Sequence, residues 1–262
     1  MGKKTAVITG ASSGIGMELA RLFAADGYDL IVAARRAERL QELAEELGGS
    51  HGTTMHIIQM DIAQPYAGKT LWQAISDITP DIDVLVNNAG VGDAGDFAGE
   101  LPEVVERMIH LNISTLTALT RYALPGMIER KCGKILNVAS LAGFQPGGPG
   151  MAVYYASKSY VLSFSRAIRR ELRGTGVSVT ALCPGPTSTG FEQTARAQHT
   201  LLFHWTRPMA ASVVARKGYR GMQRGSGVVV PGLLNKLLAI SPGFAPSLIA
   251  LEINRFLLSE RR

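Results

Sequence analysis

Short apolar runs of strand length alternate with segments of helical period along the first two thirds of the chain. Residues 5–9 (TAVIT) are β-branched and uninterrupted, the pattern of a parallel strand buried on both faces. Ile15, Leu19, Leu22 and Phe23 then recur at helical spacing until Asp26-Gly27. The same alternation predicts further strands at 29–34, 53–60, 83–87, 134–138 and 177–183, with one last strand at 227–230. It predicts helices at 35–47, stopped by Gly48-Gly49, and at 67–78, 102–129, 151–173 and 212–224. Strands and helices alternating this regularly imply right-handed βαβ units, a parallel sheet and helices on both faces. The expected fold class is α/β, a Rossmann-like doubly wound sheet in a single domain spanning 1–262. It carries an α-helical lid at about 187–212 and an apolar C-terminal extension at about 231–262, broken by Pro242 and Pro246.

Composition narrows the class. Hydrophobic residues at 46% with charged residues at 18% exclude a disordered chain, and 29 glycines without a period exclude collagen. The formal net charge of +6 admits an anionic partner, but the basic residues are scattered, so no nucleic acid is expected. Cys132 and Cys183 lie near apolar runs and read as buried reduced thiols. The five His form no ligand spacing, so no metal site is expected. The N-terminus lacks the apolar stretch of a signal peptide, and no run is clean enough to span a bilayer. The expected location is cytoplasmic, with peripheral membrane contact left open.

Three motifs carry chemistry. After the first strand, Gly10, Ser12, Ser13, Gly14, Ile15 and Gly16 form a Gly-rich turn into a helix N-terminus, suited to a pyrophosphate. At the end of the second strand, where an NAD-binding fold carries a carboxylate, stands Ala34 followed by Arg35 and Arg36. Guanidinium groups pair with a 2′-phosphate, so the pattern favours NADP(H). Finally, Tyr154 and Lys158 are four apart on a predicted helix and share a face. A nearby ammonium lowers a phenol's pKa and makes it a usable acid or base.

With TGASSGIG at 9–16, Asp61-Ile62, Asn87-Asn88-Ala89-Gly90, Asn112, Ser140, Tyr154, Lys158 and PGPTST at 184–189 in order, the chain resembles the short-chain dehydrogenases/reductases over nearly its whole length. The extension resembles the lipid- and steroid-type ketoreductase subgroup. The resemblance implies that Ser140 hydrogen-bonds the substrate oxygen and Tyr154 passes the proton. Lys158 would hold the nicotinamide ribose and depress the Tyr154 pKa, and Asn112 would keep a water behind Lys158. Asp61 and Ile62 would contact adenine, and Asn88, Ala89 and Gly90 would line the cofactor. Pro184, Gly185, Thr187 and Thr189 would stand at the carboxamide. The implied activity is NADPH-dependent reduction of a ketone, or oxidation of the secondary alcohol, on a hydrophobic substrate.

Alternatives are a fatty 3-oxoacyl thioester reductase specifically, or a non-catalytic NADP-binding regulator or interaction protein. A sensor has no need of a Ser-Tyr-Lys set, and nucleotide-sugar epimerases usually have longer chains. In the lid, Phe191, His199, Leu201, Leu202, Phe203, His204 and Trp205 read either as surface helices or as a mobile cover for an apolar substrate. Residues 141–150 would form the opposite wall. Leu248, Ile249, Leu251, Ile253, Phe256, Leu257 and Leu258 leave three readings open: docking on the chain's own core, a subunit interface, or a membrane surface. The family implies a homodimer or homotetramer paired through helices 102–129 and 151–173.

Overall fold

The computed structural model describes residues 3–197, 200–201, 207–241 and 246–259. Its centre is one parallel sheet of seven strands: β1 (Thr5–Thr9), β2 (Asp29–Ala34), β3 (Met55–Gln59), β4 (Val84–Asn87), β5 (Gly133–Val138), β6 (Val177–Leu182) and the edge strand Val228–Val229. The spatial order is β3-β2-β1-β4-β5-β6, then the edge strand. Strand residues alternate between two cores, as the two-residue period of a strand requires. Ala6, Ile8, Val32, Val86 and Leu136 pack on one side against α1 (Gly14–Ala25), α2 (Ala37–His51) and the helix Ala211–Gln223. Val7, Ile31, Leu85, Ile135 and Val179 face the other side, against α3 (Ala67–Ile78), α5 (Leu116–Glu129) and α6 (Ala152–Glu171). Burying each Leu or Ile in these layers contributes roughly 1.5–3 kcal/mol.

Strand order reverses where the chain leaves β3 and re-enters beside β1 as β4, and such a switch point opens a crevice at the strands' C-terminal ends. Side chains staple its floor. Thr9 Oγ1 accepts from the Asn88 and Ala89 amides at 3.0 and 3.1 Å, and Asn88 Nδ2 donates to the Thr9 and Gly10 carbonyls at 2.9 and 3.1 Å.

The structure departs from the sequence reading in a few places. Helix α2 runs through Gly48-Gly49, and Gly52 is its cap, at φ 61°. Residues 48–51 are exposed, so hydrogen bonds rather than packing carry the helix past the two glycines, each of which costs roughly 1 kcal/mol: Ser50 Oγ donates to the Glu46 carbonyl at 2.7 Å and the Gly52 amide to the Gly48 carbonyl at 3.1 Å. The helix expected at 102–129 is α4 (Pro102–Ile109) and α5 joined by a π-helical turn, His110–Thr115. Cys132 is exposed, whereas Cys183 is buried as expected; Cys132 follows the end of α5 in a surface turn. No helix among the described residues is long and apolar enough to cross a membrane.

Candidate active site

A cleft of about 730 Å³ opens at the switch point. One end is the Gly-rich turn. Gly10, Ser12, Ser13, Gly14 and Ile15 line it at the N-terminus of α1, where backbone N–H groups lack intrahelical partners. Gly16 stands one layer behind: a Cβ there would run into the Asn88 amide and the Gly10 carbonyl. Arg35 and Arg36 line the same end. Arg36 Nη2 donates to Ser12 Oγ at 3.1 Å and Ser13 Oγ at 2.8 Å, which sets a cation beside the helix N-terminus. No carboxylate stands at Ala34. A bare Gly-rich turn, a helix N-terminus and an adjacent guanidinium fit the phosphates of NADP(H).

Asp61 and Ile62 also line the cleft. Arg107 holds the Asp61 carboxylate through two hydrogen bonds, of 2.8 and 3.1 Å. Burial pushes the Asp61 pKa up, but the bonds from Arg107 and the Ala63 amide outweigh it and keep the group below its usual range. Nothing in the sequence marked Arg107, a lone cation on α4. Asn88, Ala89, Gly90, Pro184, Gly185, Thr187 and Thr189 complete the walls. Thr187 Oγ1 donates to the Gly185 carbonyl at 2.8 Å, which shapes the turn after β6.

At the other end Ser140, Tyr154 and Lys158 line the cleft together. Ser140 follows β5, and its hydroxyl accepts from the Ala142 amide at 3.1 Å. Burial pushes the Tyr154 phenol up to about 12, while a hydrogen bond with Ser140 acts in the opposite sense. Burial lowers Lys158 to about 8. Its Nζ donates to the Val138 carbonyl at 3.0 Å and lies 5.8 Å from the Tyr154 ring centroid. Desolvation is therefore the larger of the two influences on Tyr154.

Asn112 sits behind the cleft, in the π-helical turn. Its side chain accepts from the Val91 amide at 3.0 Å and donates to the Val91 carbonyl at 2.8 Å and to Ser157 Oγ at 3.0 Å. Ser157 in turn donates to the Tyr154 carbonyl at 2.7 Å. A Cβ at Gly90 would meet Lys158 Nζ at 3.1 Å and Asn112 Oδ1 at 3.3 Å, so both polar atoms close on this one glycine.

The loops and helices beside Tyr154 bring Leu141, Ala142, Met151, Tyr155, Phe191 and Leu238 into the cleft, together with the polar Gln145, Gln193 and Thr194. Phe191 belongs to the expected lid, whose Thr187–Ser188 pairs in parallel with Met209–Ala210. His199, Leu202, Phe203, His204 and Trp205 lie outside the described residues, as does Pro242. Leu201 is tied by its amide to the Ser259 carbonyl at 3.2 Å. The C-terminal extension docks on the chain's own core with one face, where Ala250, Ile253, Asn254 and Leu257 line the cleft. The sequence spreads apolar residues around much of this helix and sets Asn254 on its polar side with Glu252 and Arg255, whereas Asn254 is buried on the docked face.

The sequence profile described as short chain dehydrogenase matches residues 4–200. The NADP-dependent 3-hydroxy acid dehydrogenase of Escherichia coli strain K12 is 39% identical over 180 residues, covering 68% of this chain and 71% of that protein. A short-chain dehydrogenase from Sphingobium yanoikuyae, solved in complex with NADPH, superposes with a TM-score of 0.82 at 31% identity over 92% of this chain and 93% of that one. The bulky-bulky ketone specific alcohol dehydrogenase of Comamonas testosteroni superposes with a TM-score of 0.77 at 30% identity, covering 92% of each chain.

Proposed function

The chain belongs to the short-chain dehydrogenase/reductase family, and from that footing we propose that it is an NADP(H)-dependent oxidoreductase acting on a hydrophobic ketone or its secondary alcohol. The observation that carries the reading is one cleft with Arg36 and the Gly-rich turn at one end, and Ser140, Tyr154 and Lys158 in an apolar pocket at the other. NADP dependence is supported by the relative's name and by the NADPH bound in the structural neighbour.

Gly10, Ser12, Ser13, Gly14 and Ile15 would hold the cofactor's phosphates, Arg36 its 2′-phosphate, and Lys158 with Asn88, Ala89 and Gly90 its nicotinamide end. When bound, the cofactor supplies the hydride. As a carbonyl is reduced, negative charge develops on its oxygen, and the Ser140 and Tyr154 hydroxyls are the donors for that charge. Tyr154 Oη gives up its proton to that oxygen. Its raised pKa keeps the phenol proton-loaded at neutral pH, the state a general acid needs. The Lys158 ammonium stands close enough to stabilise the phenolate left behind. Asn112 and Ser157 hold the Val91 backbone and the first turn of α6 around this pair.

Substrate charge follows from the lining. Among the described residues, Lys158 is the lone cation at the Tyr154 end, and Arg35, Arg36 and Arg107 gather at the other. An anionic substrate would be desolvated there with no counter-ion of its own. That favours a neutral ketone, in keeping with the bulky-bulky ketones named for the Comamonas enzyme rather than with the 3-hydroxy acid named for the Escherichia relative. A homodimer or homotetramer goes with the same reading, and the exposure of Ile109, Tyr122, Ile128 and Tyr160 on the long helices supports it.

The test is NADPH oxidation against a graded panel of aryl ketones, steroids and long 3-oxoacyl thioesters, with Tyr154→Phe as control. The expected result is turnover of neutral ketones that falls by about 10²–10⁴-fold in Tyr154→Phe, with NADPH binding retained. Turnover that survives the substitution overturns the role of Tyr154.

A further inference from the structure

Ala250, Ile253, Asn254 and Leu257 form one stripe of the helix Ser247–Leu258, and all four line the cleft. Two ties hold the helix there. Asn254 is buried, and its Nδ2 donates to the Gly147 carbonyl at 2.7 Å. Leu258 packs in the small core of Ala142, Met151 and Tyr155, against which Tyr154 and Phe191 also rest. Gly148, next to Gly147, lies directly against the Tyr155 ring. The helix is thus fixed to the loop that leads into α6, one turn before the proton-carrying tyrosine.

The neighbouring helix, Leu233–Ile240, grips the same loop. Gln145 Nε2 donates to the Leu238 carbonyl at 3.2 Å, and Leu238 itself lines the cleft. Residues 145–148 are therefore gripped by both C-terminal helices. The loop's glycines suggest a flexible wall, but its carbonyl at Gly147 and its side chain at Gln145 are both engaged.

We propose that the C-terminal helix is the wall that sets substrate size, with Leu257 and Ile253 limiting the substituent on the carbonyl and Asn254 as the positioning residue that holds the wall. The inference rests on the ketone reductase reading above. The wall offers a methyl, two branched alkyl groups and one amide already engaged with Gly147, so the substituent it accepts is apolar. Trimming Leu257 lengthens the pocket, and enlarging it shortens the pocket.

The experiment uses the full chain and phenyl ketones whose alkyl arm grows from methyl to hexyl. In Leu257→Ala the ratio of kcat/KM for the hexyl over the methyl ketone rises about tenfold, and in Leu257→Phe it falls by a similar factor. NADPH affinity, read by fluorescence titration, stays at the wild-type value in both. Asn254→Asp keeps the shape but loses the N–H donated to Gly147; it raises KM for the long ketones more than it lowers kcat, and Asn254→Gln recovers part of the loss. An unchanged size ranking in both Leu257 variants, with NADPH binding intact, overturns the wall. A wild-type protein that binds NADPH and reduces none of these ketones overturns the underlying reading instead.

Discussion

Lys158 holds its ammonium 3.0 Å from the Val138 carbonyl and 5.8 Å from the centre of the Tyr154 ring, buried one helical turn beyond that tyrosine. The arrangement suits a proton-transfer site and works against stability. Burial lowers Lys158 from 10.5 to about 8, so the folded chain carries a desolvation cost whenever the amine is charged. Because the folded value lies below the unfolded one, the cost is complete below pH 8 and fades as pH rises towards 10.5. Lys158→Met should therefore abolish turnover yet stabilise the cofactor-free fold at pH 7 by about 1–3 kcal/mol. Calorimetric melting at pH 7 and pH 10 checks it: the gain in Tm over wild type should shrink at the higher pH. An equal or growing gain would show that Lys158 is not desolvated.

Arg36 reaches across the Gly-rich turn to both serine hydroxyls. Arg36→Ala removes the guanidinium assigned to the 2′-phosphate and leaves the turn's backbone in place. NADPH affinity should fall by about 10–100-fold, the worth of a charge-assisted hydrogen bond. NADH affinity should change by less than about threefold, since that cofactor has no 2′-phosphate. Fluorescence titration of both nucleotides decides it, and a parallel loss for the two would remove Arg36 from the phosphate site.

Elements built on period were legible in the sequence, because burial on both faces forces uninterrupted β-branched strands and the glycines punctuate the helices. Tyr154 and Lys158 were legible for a different reason, their spacing of four on one helix, and Ser140 only through the family resemblance; the fold brings the three to one cleft. Arg107 was not legible, because its pairing with Asp61 joins positions 46 apart in the chain. The π-helical turn was hidden as well. It is favoured by Asn112 engaging Val91 and Ser157, contacts that exist only once β4, α5 and α6 have assembled. In the C-terminal helix apolar residues stand around much of the circumference, so the sequence did not show which face would meet the core, a partner or a lipid, and Asn254 read as part of the polar side.

Asn87 and Asn137 are register partners on β4 and β5, both buried under α5 and α6. Asn87 Nδ2 donates to Asn137 Oδ1 at 2.9 Å and to Thr120 Oγ1 at 3.0 Å, and Asn137 Nδ2 donates to Ser165 Oγ at 2.9 Å. Asn87 Oδ1 is buried without a hydrogen-bond partner. Asn137→Leu takes an acceptor from a side chain already short of partners and should cost about 2–4 kcal/mol. The double variant Asn87→Leu/Asn137→Leu should cost less than the sum of the single changes, because the stranded amide is gone. Urea unfolding of the three variants gives the coupling, and strict additivity would sink the network.

Asp93 follows the Asn88–Gly90 loop by three residues, with its carboxylate buried, and Arg196 at the end of the short helix Phe191–Thr194 pairs with both its oxygens. Ala195 and Ala197 on either side of Arg196 are fully buried, so the pair pins this part of the lid to the cleft's rim. Glu100 lies nearby, raised by burial and by Asp93 and lowered by Arg196. Arg196→Ala leaves two acids facing each other with the screening cation gone. With much of Arg196 exposed to solvent, the expected loss is modest, about 0.5–1 kcal/mol at pH 8. A carboxyl raised in the folded state stabilises only while protonated, so the variant's deficit should grow as pH rises from 5 to 8. Tm measured across that range, alongside faster proteolysis within residues 187–212, is the check. A deficit that stays flat with pH would mean that the guanidinium acts by packing rather than by charge.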